Sequence, residues 1–297
     1  MEITEFLAGK ERVRVRGGEV AYADVGAGPV ALFVHGVFMN GLLWRNVISG
    51  LRSERRCIAI DLPAHGDTAV EMGEGFSLDA HADLLAEFLD ALGIERVDLV
   101  GNDTGGAICQ AFVVRFPERV RTLTLTNCDV DDNFPPDAFK PAIELAREGQ
   151  LAPLIAEMTR DLELARSETG LGIGYEHPET ITPEIVGAYL GRYADPAAGR
   201  EVERRIGDVV AKDLDEVTAK MRELTIPTLV AWGTNDVFFD VKWAYWLRDN
   251  VPGVTDVVEI DGGKLFFVDE RAEEFVPHLR RHWQIHRESA AAEGASR

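Results

Sequence analysis

The chain has 297 residues, 51 acidic and 31 basic, for a formal net charge of −20, with 46% hydrophobic residues. The composition is globular and the length admits one large domain, or one domain carrying an insertion, while the charge argues against nucleic acid and anionic membranes as partners. Three cysteines (Cys57, Cys109 and Cys128) without C-x-x-C spacing fit neither a disulfide framework nor a metal site; with no signal-peptide pattern and no apolar run of ~18 residues, a cytoplasmic protein is expected.

In chain order, Arg12–Arg16 and Glu19–Asp24 alternate with period two around Gly17-Gly18, which predicts a hairpin. Val30–Val34, Arg56–Ile60 and Val97–Val100 are continuous apolar runs, the pattern of strands buried on both faces. Between the last two, Leu78, Leu84, Leu85, Phe88, Leu89 and Leu92 mark one helical face, with Ser77 as N-cap. Val120–Thr126 is the sixth predicted strand. Residues 133–223 then read as a helical insertion, broken at Asn133-Phe-Pro-Pro136, Gly170–Gly174, Pro178, Pro183 and Pro196. Strands return at Ile226–Trp232 and Val254–Ile260, a closing helix spans Ala272–His286, and a small polar tail at 288–297 is expected to be disordered. The expectation is an α/β core in two parts, 1–132 and 224–287, built on a mostly parallel sheet wrapped by helices, with a helical cap at 133–223.

The chemistry concentrates where strands end. Gly101-Asn-Asp-Thr-Gly-Gly106 lies between a strand and a helical pattern, the setting of a nucleophile elbow, with Asp103 at the central position. The helix N-terminus favours an ionised carboxylate there, and such a group can attack an sp³ carbon to give an ester. The competing reading of Asp103 is a simple N-cap. His35-Gly36 closes the third strand, with Val37 and Phe38 next; His35 reads as structural. Asp61–Thr68 forms a turn-rich loop in which His65 reads as a solvated loop residue rather than a pocket residue.

Together, His35-Gly36, Asp61-Leu-Pro…Gly66, Gly101-x-Asp103-x-Gly105-Gly106 and Trp232-Gly-Thr-Asn-Asp236 resemble the α/β-hydrolase superfamily over nearly the whole chain. Aspartate at the elbow is similar to the branch containing haloalkane dehalogenases and epoxide hydrolases. The resemblance implies that Asp103 forms an alkyl ester, that the backbone N–H groups of Val37 and Thr104 make an oxyanion hole, and that Asp236 is the acid orienting a late histidine. A turn residue is the plain alternative for Asp236.

That histidine is missing. The segment Asp261-Gly-Gly-Lys-Leu-Phe-Phe267 places Leu265 at its position, with Lys264 just before, and the downstream His278, His282 and His286 fall on the closing helix, where surface positions are expected. Thr104 also stands where dehalogenases of this branch carry a halide-holding Trp, and Val37 where many carry Asn. Epoxide hydrolases of the branch protonate the opening oxygen with two cap tyrosines; Tyr175, Tyr189 and Tyr193 fall in the cap segment, as does His177, although cap packing is the favoured reading of each tyrosine. Phe38, Trp44, Phe134, Phe139, Phe238 and Phe239 flank the motifs as pocket candidates. The leading expectation is ring opening of an epoxide-hydrolase type on a small or mid-sized apolar molecule, centred on Asp103. Haloalkane dehalogenation, a non-hydrolytic isomerase or lyase, and a catalytically silent binding protein are the alternatives; a homo-oligomer is compatible with the sequence.

Overall fold

The computed structural model describes residues 1–73, 76–209 and 214–295, with side chains to residue 286. Its strands are β1 (Lys10–Val15), β2 (Gly18–Val25), β3 (Val30–Val34), β4 (Arg56–Ile60), β5 (Ala69–Val70), β6 (Val97–Asp103), β7 (Val120–Cys128), β8 (Thr228–Gly233) and β9 (Val254–Ile260). They form one sheet in the order β1-β2-β4-β3-β6-β7-β8-β9, with β5 beside β2. The hairpin β1–β2 and the pairs of β2 with β4 and β5 are antiparallel, and every pairing from β4 to β9 is parallel. Two residues are too few for β5 to carry a readable alternation, so sequence reasoning passes it over. The sixth strand of the sequence reading is therefore β7.

The apolar runs form strands because both faces of the sheet are covered. Leu32, Phe33, Ile58, Ala59, Leu99 and Val100 are all fully buried. The helix Leu78–Ala91 starts as expected, with the Ser77 hydroxyl accepting from the Ala80 N–H. It packs on the helix Thr104–Arg115, and the helix Asp215–Met221 packs there too. Asp215–Met221 thus packs on a helix of the core although it falls inside the 133–223 segment.

Between β7 and β8 the described residues contain no strand. Helices Lys140–Arg147, Leu151–Met158, Leu162–Arg166, Pro183–Leu190 and Pro196–Gly207 pack on one another there. Polar tethers join them to the sheet loops. Arg192 donates to the Gly66 and Thr68 carbonyls at 2.8 Å each, Asn40 donates to the Ala188 carbonyl at 2.7 Å, and the Phe266 N–H donates to the Gly174 carbonyl at 2.9 Å.

The closing helix corrects the expected tail: it spans Ala272–Ala295, taking in residues 288–295. Ala290, Ala291, Ala292 and Glu293 are strong helix formers, and small polar composition alone hid that propensity. Residues 296 and 297 lie outside the described residues. His282 on this helix is buried, contrary to the surface position expected, because it sits on the helix face that also carries Phe275 and Leu279.

Candidate active site

The carboxyl ends of the parallel strands share one edge, and each contributes one loop to a single site. β6 runs straight into Asp103, whose backbone is held at φ 57° and ψ −138° before the helix Thr104–Arg115 begins. This left-handed turn is maintained by close backbone approach: a Cβ on Gly105 would stand 2.3 Å from the His35 carbonyl oxygen. Gly36 has the same role toward the side chain, since a Cβ there would lie 2.1 Å from Asp103 Oδ2. The space left by Gly36 lets the Val37 N–H donate to Asp103 Oδ2 at 2.8 Å, and the Thr104 N–H donates to the same carboxylate. Asp103 stands at the N-cap position of its helix without the usual side-chain cap hydrogen bond; its carboxylate accepts from the Val37 and Thr104 amides instead. Val37 and Thr104 form the amide pair expected of an oxyanion hole, here occupied by the aspartate itself.

Electrostatics around this carboxylate oppose one another. Burial pushes Asp103 up to about 7, the Val37 and Thr104 amides pull it down, and the charge of Asp236 adds to the upward shift. The helix N-terminus therefore does not keep the group ionised far below neutrality, as the sequence alone suggests. Asp236 follows β8 and is likewise raised to about 7 by burial, against hydrogen bonds from the Phe238 amide and Asn127 and the nearby charge of Lys264. Asn127, at the end of β7, donates to Asp236 Oδ2 at 2.8 Å and accepts from the Gly233 N–H at 2.6 Å.

A third carboxylate, Asp129, was not singled out by the motifs. It follows Cys128, the residue of β7 paired with Asp103 of β6. It is 1% exposed, and its Oδ2 has no hydrogen-bond partner among the described residues. Burial holds it well above the ordinary carboxylate range, and the charge of Asp103 raises it further. Its signal in the sequence was position: an acid directly after a buried parallel strand, at the edge where Asp103 and Asp236 also fall.

Asp103 and Asp129 open onto a cavity of about 380 Å³, within the range of small-molecule sites. Asp103, Thr104 and Asp129 lie in a lining that is otherwise mostly apolar, including Val37, Phe38, Phe134, Phe139, Phe238 and Leu265. Trp44 and Phe239 belong to the core instead, both fully buried. Leu265 is held in place by its backbone, its carbonyl accepting from Asn102 Nδ2 at 3.0 Å. An aliphatic side chain thus stands where the resemblance places the histidine, while Lys264 lies outside the lining.

The tyrosines do not reach this chamber. Tyr175, Tyr189 and Tyr193 are buried but none lines the cavity. Arg45 and Asp269 form a buried ion pair at 2.7 Å, and the Tyr175 hydroxyl donates to Asp269 Oδ2 at 3.4 Å, with Tyr189 beside the same pair. This ion pair draws two of the three expected proton donors away from Asp103. His177 is exposed between Glu176 and Glu179, also outside the cavity.

His65 and His81 line the cavity instead. His65 corrects the solvated-loop expectation: its Nδ1 lies 2.9 Å from the Pro63 carbonyl, and its Nε2 is shielded from solvent without a partner among the described residues. The Arg192 tether to Gly66 and Thr68 presses this loop against the inserted helices. His81 Nδ1 lies 2.7 Å from the Ser77 carbonyl, and burial lowers both histidines, to about 3 and about 4. Both are neutral, and each must donate from Nδ1 to its carbonyl, leaving Nε2 as acceptor. The spacing Leu78, His81, Ala82, Leu85 already put His81 on the buried helical face. His35 is structural, as read: Nδ1 lies 2.7 Å from the Gly36 carbonyl and Nε2 accepts from the Leu62 N–H at 2.9 Å.

Residues 29–271 match the family model described as alpha/beta hydrolase fold. The chain belongs to the α/β-hydrolase family. It is 31% identical over 234 residues to haloalkane dehalogenase 2 of Mycobacterium tuberculosis, covering 76% of this chain and 77% of that one. It is 23% identical over 288 residues to the cis-3-alkyl-4-alkyloxetan-2-one decarboxylase of Shewanella oneidensis, covering 93% and 88%. Among solved structures, epoxide hydrolase CorEH superposes with a TM-score of 0.76 at 20% identity, covering 93% of this chain and 98% of that one. As an α/β-hydrolase, the chain has dehalogenase-like relatives.

Proposed function

We propose that this α/β-hydrolase opens strained rings, epoxides first, on small or mid-sized apolar molecules, with Asp103 as the nucleophile. The observation that carries this reading is the anchoring of Asp103 Oδ2 by the Val37 amide at the wall of an apolar cavity. With Oδ2 anchored, Oδ1 attacks an electrophilic carbon, and the two amides stabilise the oxygen of the resulting ester. Halide displacement is the weaker choice, because no Trp lines the cavity among the described residues. Leu265 leaves the ester without the usual base, so ester formation outpaces its hydrolysis and the Asp103 ester accumulates.

The test is intact-mass spectrometry during exposure to a panel of aliphatic and aromatic epoxides. A burst of one adduct, mapped to Asp103 and absent in Asp103→Asn, followed by slow diol release, is the expected result. No adduct and no diol across the panel overturns it. Leu265 also favours a second reading, a binding protein that keeps the chamber without turnover. In that case hydrophobic ligands bind with no covalent mass change.

A further inference from the structure

Ring opening creates an alkoxide that needs a proton, and none of the three tyrosines lines the cavity. We propose that Asp129 supplies that proton: it sits in the cavity wall as a neutral carboxylic acid beside the ionised Asp103 and acts as the general acid of the ring-opening step. This inference rests on the reading of Asp103 as a nucleophile.

Placement comes first. In the β6–β7 register Asp103 pairs with Cys128, so Asp129 starts the loop one residue beyond, and both aspartates line the same cavity. The Gln110 amide donates to the Asp129 carbonyl at 2.8 Å, which pins the backbone there. The two carboxyl groups are treated differently by their surroundings. Asp103 has backbone amides of Val37 and Thr104 to stabilise a negative charge, whereas Asp129 has the Thr104 hydroxyl and its own amide, and its Oδ2 is shielded from solvent with no partner among the described residues. A buried carboxylate oxygen without donors is costly when charged, whereas a carboxyl proton gives the group something to donate. Of the pair, Asp103 therefore carries the charge and Asp129 the proton.

The other ionisable side chains on the cavity wall are His65, His81, Glu168 and Arg205; outside the lining, Asp236 acts on Asp103 and Lys264 on Asp236. None of these is a cation acting on Asp129, whose upward shift comes from burial and from Asp103, opposed by the Thr104 hydroxyl. The step balances within the pair. Asp103 Oδ1 bonds to the ring carbon, the ring C–O bond breaks, and its oxygen takes the Asp129 proton. The products are an ester on Asp103, a free hydroxyl and an Asp129 carboxylate, so one negative charge passes between the aspartates.

Comparing an epoxide with a primary alkyl iodide separates this claim from the nucleophile reading, since iodide leaves without a proton. In Asp129→Asn, the rate of Asp103 ester formation from the epoxide should fall on the order of 10²–10³-fold, the scale of general acid catalysis. Alkylation by the iodide should change less than about threefold on the same scale. A retained epoxide rate, or an equal fall with both reagents, overturns the donor role; an equal fall would mean that Asp129 shapes the site instead. Failure of the unmodified chain to form an Asp103 ester with either reagent overturns the nucleophile reading and the proposal with it. If Asp129→Asn does not fold, the pH profile of the unmodified chain decides. Iodide alkylation should rise and level as Asp103 ionises, whereas epoxide opening should rise and then fall as Asp129 loses its proton. Parallel profiles count against the proposal.

Discussion

Gly36 acts through the atom it lacks. An alanine there would place its Cβ 2.1 Å from Asp103 Oδ2, where the carboxylate is held by the Val37 amide. Gly36→Ala should therefore slow Asp103 ester formation on the order of 10²-fold, the effect of displacing a reacting group by about an ångström, with an unchanged circular dichroism spectrum. Ionisation of Asp103 sets a second expectation. Because its carboxyl is raised to about 7, alkylation should climb about tenfold per pH unit below that value and flatten above it, as read by adduct mass against time. A profile already flat at pH 5 would show that the amides outweigh burial. At the late loop, Leu265→His should put an imidazole on the cavity wall and shorten the life of the ester on the order of 10²–10⁴-fold, measured as loss of adduct mass after excess epoxide is removed.

At the scale of elements, β7 and the loop after β8 are joined through one side chain. Asn127 donates to Asp236 and to the Gly233 carbonyl and accepts from the Gly233 amide. Asn127→Ala should cost about 1–3 kcal/mol per partner left unsatisfied, seen as a lower midpoint in chemical denaturation; an unshifted midpoint would show that the loop repairs itself. The elements that build the elbow were legible from sequence because their constraints are local. Glycines on either side of Asp103 lie between an apolar strand and a helix, and Leu265 is located by counting from Phe266-Phe267. The inserted helices were not legible in the same way. Whether Tyr175 faces a substrate depends on an Arg45–Asp269 pair assembled from residues more than two hundred positions apart, and no periodicity in the 133–223 segment encodes it. Asp129 was missed for a related reason: its importance lies in which residue of the neighbouring strand stands beside it, a register the sequence does not display.

Across the whole molecule, the acidity has two distinct parts. Surface charge accounts for most of the net −20, while Asp103 and Asp236 are half-buried, with desolvation raising their carboxyls from 3.8 to about 7. In the window between those values the folded chain keeps protons that the unfolded chain has released. The stability these groups lend is fully present below about pH 4 and is lost as pH rises through about 7. Thermal denaturation should thus give a higher midpoint at pH 5.5 than at pH 8, and Asp103→Asn or Asp236→Asn should flatten that difference. Surface self-repulsion has the same sign, so an unaltered slope in both variants would assign the effect to the surface and to the other raised carboxyls, Asp129 and Asp269. The late loop has another consequence. Its path is tied by main-chain contacts, the Leu265 carbonyl on Asn102 and the Phe266 amide on Gly174, and neither hydrogen bond uses side chain 265, which is itself packed in the core. A substitution at 265 therefore changes what the cavity wall presents while both main-chain anchors of the loop stay available, and its cost to the fold is limited to the packing of one side chain.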